Sequence, residues 1–380
     1  MVEKNYDVAV CGGGVAGVAA ALAAARRGMK TVLIEKTILP GGLATSGLVL
    51  VYLPLCNARG TQMIYGIAEE LLIASNKYGP LTPDPDWQKK GRRYMVNFSP
   101  GSMVLVMDEL LEAAGVEVWL DSVITGCKVE NNRLKEISVF NKSGTVQVSA
   151  ETFVDATGDA DLLYLAGEPC NYSENSMVLW TIEHNEHAKS GNDLDSWSHV
   201  AIHADPLANP YTYEHLSGKM VTDFVLEGRR RYRKLLQKEA AEGISDRKSH
   251  YPLTLQTQAP IRKGRCIQGC FTMETGMESR SFEDSVGSIG DWRGGKVWQI
   301  PYRSLLPCNL RGVIAAGRCI SAVGDAWEAT RVIPVAAMTG EVAGIAAAMS
   351  VKQGQTPHDL AYPELAAELR KQGFLLEYPE

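Results

Sequence analysis

Three glycines near the start of the chain have the type and spacing needed to bind phosphate. In Gly12-Gly13-Gly14-Val15-Ala16-Gly17, Gly12 lets the chain turn off a strand and Gly14 admits a pyrophosphate against bare backbone. Gly17 lets helix and strand pack closely, and beyond Val15 and Ala16 of this loop the free N–H groups and positive end of the helix that follows face the phosphate charge. Glu35, about 20 residues on, ends a second apolar run and is placed to accept hydrogen bonds from ribose hydroxyls. Four arginines are the other candidates for chemistry: Arg262 and Arg265 after Ala259-Pro260, then Arg303 and Arg331. A guanidinium can clamp a carboxylate bidentately or stabilise charge growing on a substrate, and it serves equally well in a structural ion pair. Both roles are open for Arg262 and Arg331, whereas Tyr302 and Arg303 read as braces and Glu274 and Glu278 as surface acids.

Several other patterns carry no site. His184 and His187 fall on opposite faces of an expected strand, so no metal site is expected. The basic run Arg229 to Lys234 sits in a polar helix with acids at 227, 239 and 242 and reads as a solvated face. With a net charge of −6, the chain is not a general polyanion binder, and no nucleic-acid partner is expected. The eight cysteines show no zinc-type pairs. Cys266 and Cys270, four apart in an expected strand, read as buried thiols on one face, and Cys56 alone stands near Gly41-Gly42.

These residues need a frame. Tyr6 to Cys11 is an apolar strand, Val18 to Arg27 an alanine-rich helix and Thr31 to Ile34 a second strand, which together make a βαβ unit. A helical pattern covers 62–76, Gly79 to Arg93 reads as a surface loop, and a helix spans 101–114. Strand-like runs at 122–130, 133–140, 144–149 and 151–155 follow, the first three as a meander. The last runs into Asp155-Ala156-Thr157-Gly158-Asp159-Ala160-Asp161. Residues 166–290 lose the βα alternation, with strand-like pieces at 177–183 and 265–273 and a long helix at 220–242. Regular signals return in Val297 to Leu306, in Gly312 to Arg318, and in an alanine-rich helix from Pro334 to Met349. At 380 residues the chain exceeds the size of a single growing core. The expected fold is α/β: residues 1–165 and 291–380 form a discontinuous Rossmann-like domain with a β-meander, and 166–290 an inserted α+β substrate or cap domain.

The chain resembles the FAD-dependent oxidoreductases, a superfamily that includes glutathione-reductase-like and succinate-dehydrogenase-like flavoproteins. Within it, the resemblance is to a largely uncharacterised bacterial branch. It rests on residues 12–17, Gly41-Gly42-Leu43-Ala44-Thr45-Ser46-Gly47 and Asp155 to Asp159. It rests further on Ile300 to Pro307, Ala316-Gly317-Arg318-Cys319-Ile320-Ser321 and Arg331-Val332-Ile333-Pro334 through Gly340. The resemblance implies noncovalent FAD, with Gly12, Gly14 and Gly17 at the pyrophosphate and Glu35 with Lys36 at the adenosine ribose. Val123 would meet adenine through its backbone. Ala156, Thr157, Gly158 and Asp161 would line the pyrophosphate side. Gly41, Gly42, Leu43, Ala44, Ser46 and Gly47 would approach the isoalloxazine. Gly317, Arg318, Val332, Ile333 and Ala336 would contact the ribityl chain and ring. Many relatives carry an acid where Arg318 stands, which leaves the ribityl partner open and could put a cation beside phosphate. Arg262, Arg331 and Ser46 are the catalytic candidates, since relatives often present an arginine towards the flavin near Arg262.

The implied reaction exchanges a hydride or two electrons between flavin and a small polar organic substrate, anions included, with an unidentified electron donor or acceptor. Non-redox use of FAD, as in an isomerase or hydratase, and an electron-transfer subunit of a complex are the alternatives. Homo-oligomerisation is open. No run of about 18 uninterrupted apolar residues suggests a membrane span, and the first strand begins too early for a signal peptide, so a cytoplasmic setting is expected.

Overall fold

The computed structural model describes residues 3–53, 55–57, 60–79, 96–173, 177–186, 198–199, 202–203 and 216–378. The expected loop from Gly79 to Arg93 lies outside them beyond Gly79, as does His187.

A seven-stranded sheet carries the fold. Its strands lie in the order Glu117–Trp119, Thr31–Ile34, Glu3–Cys11, Gly144–Asp155, Arg133–Asn141 and Val123–Glu130, and Val313–Ala315 pairs with the end of Gly144–Asp155. Thr31–Ile34 and Val313–Ala315 are buried along their whole length, because helices cover both faces of the parallel part. That burial is why they read as unbroken apolar runs.

The runs at 144–149 and 151–155 prove to be one twelve-residue strand. One edge pairs antiparallel with Arg133–Asn141 over 144–149 and then parallel with Val313–Ala315 over 153–155, while the other edge runs parallel to Glu3–Cys11 from Gln147 to Asp155. A change of partner, with no change of direction, joins the meander to the parallel sheet.

The first helix, Val15–Ala25, packs along the C-terminal one, Ile333–Gln353. A Cβ on Gly340 would stand 2.1 Å from the Ala16 carbonyl oxygen, and one on Gly344 would stand 2.2 Å from that of Ala20. The helices therefore touch backbone to backbone, which only glycine permits. Ile333–Gln353 is long and apolar enough to cross a membrane, but 83% of its apolar window is buried inside the protein, as in a core helix. Two further helices, Gly324–Thr330 and Tyr362–Lys371, complete the C-terminal part, the second burying Leu365, Ala366 and Leu369 on one face.

The inserted part holds a three-stranded antiparallel sheet of Ser198–His199, Thr181–Asn185 and His250–Leu255, with the helix Gly218–Ala241 beside it. Buried Glu183 accepts a hydrogen bond from the Tyr232 hydroxyl at 2.7 Å and lies 3.1 Å from His250 Nε2. The expected return to the main domain at 290 cuts a hairpin, because Ser285–Gly290 pairs with Val297–Pro301. Moreover, Arg265–Ile267 pairs with Cys170–Tyr172, and Met273 bridges to Ala322. Pairings thus cross the expected boundary at 290.

Gly340→Val should destabilise the protein by about 1–3 kcal/mol or more through overpacking. Chemical denaturation measures it. Unchanged stability would mean that the two helices do not make this contact.

Candidate functional site

The strand Glu3–Cys11 delivers the glycine loop to the edge of an open cleft with a volume of about 150 Å³. Gly12 turns there with φ +97°, where a Cβ would stand 2.5 Å from the Ala156 carbonyl oxygen. Gly17 stands behind the cleft: its Cβ would fall 1.8 Å from the Gly12 carbonyl oxygen, a packing position with no lining role. At Gly14, by contrast, a Cβ would meet nothing within 4 Å, and this residue lines the cleft. The loop is held from outside. Gly13 N–H donates to Glu35 Oε2 at 2.6 Å, Gly41 N–H donates to the Gly13 carbonyl at 2.7 Å, and Gly14 bridges to Gly41.

Glu35 is buried and accepts further bonds on Oε1 from the Thr37 N–H at 2.8 Å and the Thr37 hydroxyl at 2.9 Å. A carboxylate retains acceptor sites beyond these. Lys36 lines the cleft next to it, and Val123, exposed, lines the same end with Ser122 and Ile124.

The opposite wall is the acidic turn after Gly144–Asp155. Fully buried Asp155 accepts from the Thr157 N–H, the Thr157 hydroxyl and the Leu163 N–H at 3.0, 2.7 and 2.9 Å. Burial pushes its carboxyl up to about 6 against these three bonds. Ala156, Thr157, Gly158 and Asp161 line the cleft.

Arg318 also lines the cleft, but its charge is engaged. Its Nε donates to the Gly158 carbonyl at 2.5 Å, and a terminal nitrogen pairs with Asp159 Oδ2 at 2.8 Å. Burial pushes the Asp159 carboxyl up and the Arg318 charge opposes it. Asp159 Oδ1 is buried without a hydrogen-bond partner among the described residues. From the returning strand, Arg265 donates to the Asp159 carbonyl at 3.0 Å, pairs with Asp161 and lies over the Tyr164 ring at 4.0 Å. Arg265 is thus a brace, and so is Arg303, which pairs with Asp284 at 2.9 Å.

Gly41, Gly42, Leu43 and Ala44 line the far end with Gln258, Arg331, Ile333 and Ala336, and Ala316 and Gly317 stand between the two ends. Gly317, at φ +76°, is fixed by a bond from its N–H to the Thr339 hydroxyl at 3.0 Å. Val332, Ser46, Gly47 and Arg262 are not on the lining. Val332 caps the C-terminal helix, and a Cβ on Gly47 would strike Leu43. The Ser46 carbonyl accepts from the N–H groups of Thr257 at 2.8 Å and Gln258 at 3.1 Å, which ties the inserted segment's return to the small-residue loop. Its hydroxyl is buried without a partner among the described residues.

Arg331 Nε donates to Glu328 Oε2 at 2.9 Å, and Lys263 Nζ lies 2.6 Å from Glu328 Oε1. Burial opposes ionisation of Glu328, but Arg331 and Lys263 prevail and bring it down to about 2. Burial, and then the charge of Arg331, push Arg262 down to about 10. Lys263 and Arg331 thus share the Glu328 carboxylate beside the cleft.

Sequence reasoning passed over Ile34, Ser122, Ile124, Ala316 and Gln258. The first four adjoin residues it named, whereas Gln258 arrives from a distant segment with no motif. Among the described residues no metal-binding cluster exists. Lys296 pairs with Glu278 at 2.7 Å, Glu227 pairs with Arg231 at 2.8 Å, and the contacts of Arg230 are with Glu227 as well.

The sequence profile of the family described as FAD dependent oxidoreductase matches residues 7–180 and 173–369. The chain belongs to this family. FAD is its cofactor. Among solved structures, a geranylgeranyl bacteriochlorophyll reductase-like protein from Thermoplasma acidophilum is 15% identical, with a TM-score of 0.53 over 97% of this chain and 83% of its own. The anhydrotetracycline hydroxylase OxyS from Streptomyces rimosus is 13% identical, with a TM-score of 0.50 over 96% of this chain and 65% of its own. BexE, from BE-7585A biosynthesis, is 12% identical at a TM-score of 0.54, covering 97% and 69% of the two chains. At these identities the likeness is one of fold, a Rossmann-like FAD-binding fold.

Arg318→Met would leave the Asp159 carboxylate buried without its cation, at a cost of about 3–5 kcal/mol. Adding Asp159→Asn should recover most of that loss in denaturant titrations of the apoprotein. Additive losses would show that the pair is not coupled.

Proposed function

We propose that the cleft holds one extended, noncovalent FAD and that the enzyme oxidises or reduces a small polar organic molecule, anions included. The observation that carries this reading is the open backbone at Gly14, set between Glu35 at one end and the Gly41–Ala44 loop at the other. Phosphates fit against Gly14 and the N–H groups of Val15 and Ala16, the adenosine fits between Glu35, Lys36 and Val123, and the ring fits at Gly41–Ala44. Bound there, FAD supplies two-electron chemistry at flavin N5.

The protein's own residues position and tune. Gly317 and the buried Ser46 hydroxyl are candidates for the ribityl and ring contacts. Arg318, engaged by Asp159 and Gly158, acts on the phosphates only by holding the acidic turn in place. The C-terminal helix starts at Ile333, on the cleft wall, so its positive end favours negative charge on the adjoining edge of the ring by about 0.3–2 kcal/mol. For a two-electron couple this raises the potential by roughly 5–45 mV, at about 30 mV per 1.4 kcal/mol. The effect tunes the reaction without selecting it.

The cations Lys263 and Arg331 meet at Glu328 beside the cleft, with Arg262 next to Arg331, a setting that suits an anionic group on the substrate. We assign Arg262 and Arg331 to substrate orientation, with the inserted segment covering the site through Gln258. The electron partner and any self-association belong to this reading as open partners, and no nucleic acid or membrane is part of it.

Gly14→Val should leave the apoprotein's thermal stability within about 0.5 kcal/mol of wild type, since the added atoms meet only open space. It should nonetheless abolish FAD retention, measured as flavin absorbance after desalting. A variant with full flavin content would remove the phosphates from this loop. Arg262→Ala should keep the flavin but slow its anaerobic reduction by candidate substrates at least tenfold, or about 1.4 kcal/mol. Unchanged single-turnover rates would make Arg262 structural.

A further inference from the structure

We propose that Cys270 and Cys308 form an exposed dithiol site that low-molecular-weight disulfides convert into an intramolecular Cys270–Cys308 disulfide. The expectation that Cys270 shares a buried strand face with Cys266 fails: the strand ends at Ile267, and Cys270 lies beyond it, exposed. What places it is a partner 38 positions on.

Gly269 and Pro307 form an antiparallel bridge, and the Cys270 N–H donates to the Leu306 carbonyl at 2.9 Å. Across this bridge the side chains exchange contacts. Cys270 Sγ donates to the Pro307 carbonyl at 3.5 Å, and Cys308 Sγ donates to the Gly269 carbonyl at 3.0 Å. Each thiol is held against the backbone of the segment that carries the other. Two separate stretches of backbone thus hold the two thiols at one crossing, where a disulfide of about 2.05 Å is to form.

Exposure singles the pair out. Cys11, Cys56, Cys266 and Cys319 are buried and Cys127 and Cys170 half-buried, while Cys270 and Cys308 are both exposed. Burial and the neighbouring thiol hold the Cys270 proton on, and Arg311 pulls the other way. Arg303 also faces Cys270 and adds a second cation near the site.

The chemistry balances as thiol–disulfide exchange. One protein thiolate attacks the small disulfide, forms a mixed disulfide and releases one small thiol. The second protein thiolate attacks that mixed disulfide and releases the other. Two protein thiols are oxidised, one small disulfide is reduced, and the two thiol protons leave with the two small thiols.

The test treats the folded holoenzyme with excess oxidised glutathione, quenches with an alkylating agent and reads intact mass, thiol count and tryptic map. Thiols titrated after denaturation should fall from the eight of the sequence to six, with no glutathione retained. The tryptic fragments 266–280 and 304–311 should be joined through Cys270 and Cys308, and a dithiol reductant should restore the starting mass. Cys270→Ser and Cys308→Ser should each retain one glutathione, because the resolving thiol is gone. Eight surviving thiols in the wild type, stable glutathione on it, or a link through Cys266 would each overturn the proposal. The wild-type arm decides the matter even if a serine variant folds poorly.

Discussion

The carbonyls of Ala16 and Ala20 face glycines, not side chains, on the C-terminal helix, and the rest of the site depends on that contact. Val15–Ala25 begins in the phosphate-facing loop, and Ile333–Gln353 begins at the opposite wall of the same cleft. Their separation sets how far Gly14 stands from Gly317. Each added methyl group would spread the crossing and open the cleft. Because the contact is backbone to backbone, it brings together ends of the chain more than 300 residues apart with little tolerance.

A second layer of constraint is electrostatic. The turn Gly158–Asp161 collects acids at the edge of a site meant for phosphate, an arrangement that would repel its ligand if the acids faced inwards. Arg318 and Arg265 hold Asp159 and Asp161 and offset their charge along that part of the wall. Arg265 comes from the segment that returns from the inserted piece, so closing the cofactor site and attaching that piece use the same residues. Thr257 and Gln258 repeat the device at the Ser46 carbonyl.

Local motifs made much of this legible. Gly12, Gly14, Glu35 and the Gly41–Ala44 loop are short-range patterns whose physical jobs are stated by their spacing, and all line the cleft. Gly17 keeps the packing job its spacing states, but it stands off the cleft lining, away from the pyrophosphate place that the resemblance implies for it. What stayed hidden is what distant pairing decides. The meaning of Arg318 depends on Asp159, 159 positions before it, and the exposure of Cys270 depends on Pro307 and Cys308. The strand at 144–155 reads as two because its partner on one edge changes from Arg133–Asn141 to Val313–Ala315, and the hairpin that crosses the expected boundary at 290 exists only through the pairing of Ser285–Gly290 with Val297–Pro301. Gln258 reaches the cleft through backbone bonds that any residue type could make.

The account's central claim is that one elongated ligand spans the cleft from Glu35 to Arg331. The most direct measurement is calorimetric titration of folded apoprotein with FAD, with FMN and NAD as comparators. One FAD should bind per chain, with FMN weaker by at least a hundredfold, about 2.7 kcal/mol, because it forgoes the adenosine end. Equal affinity for FMN, or no heat with FAD from well-folded protein, would contradict it.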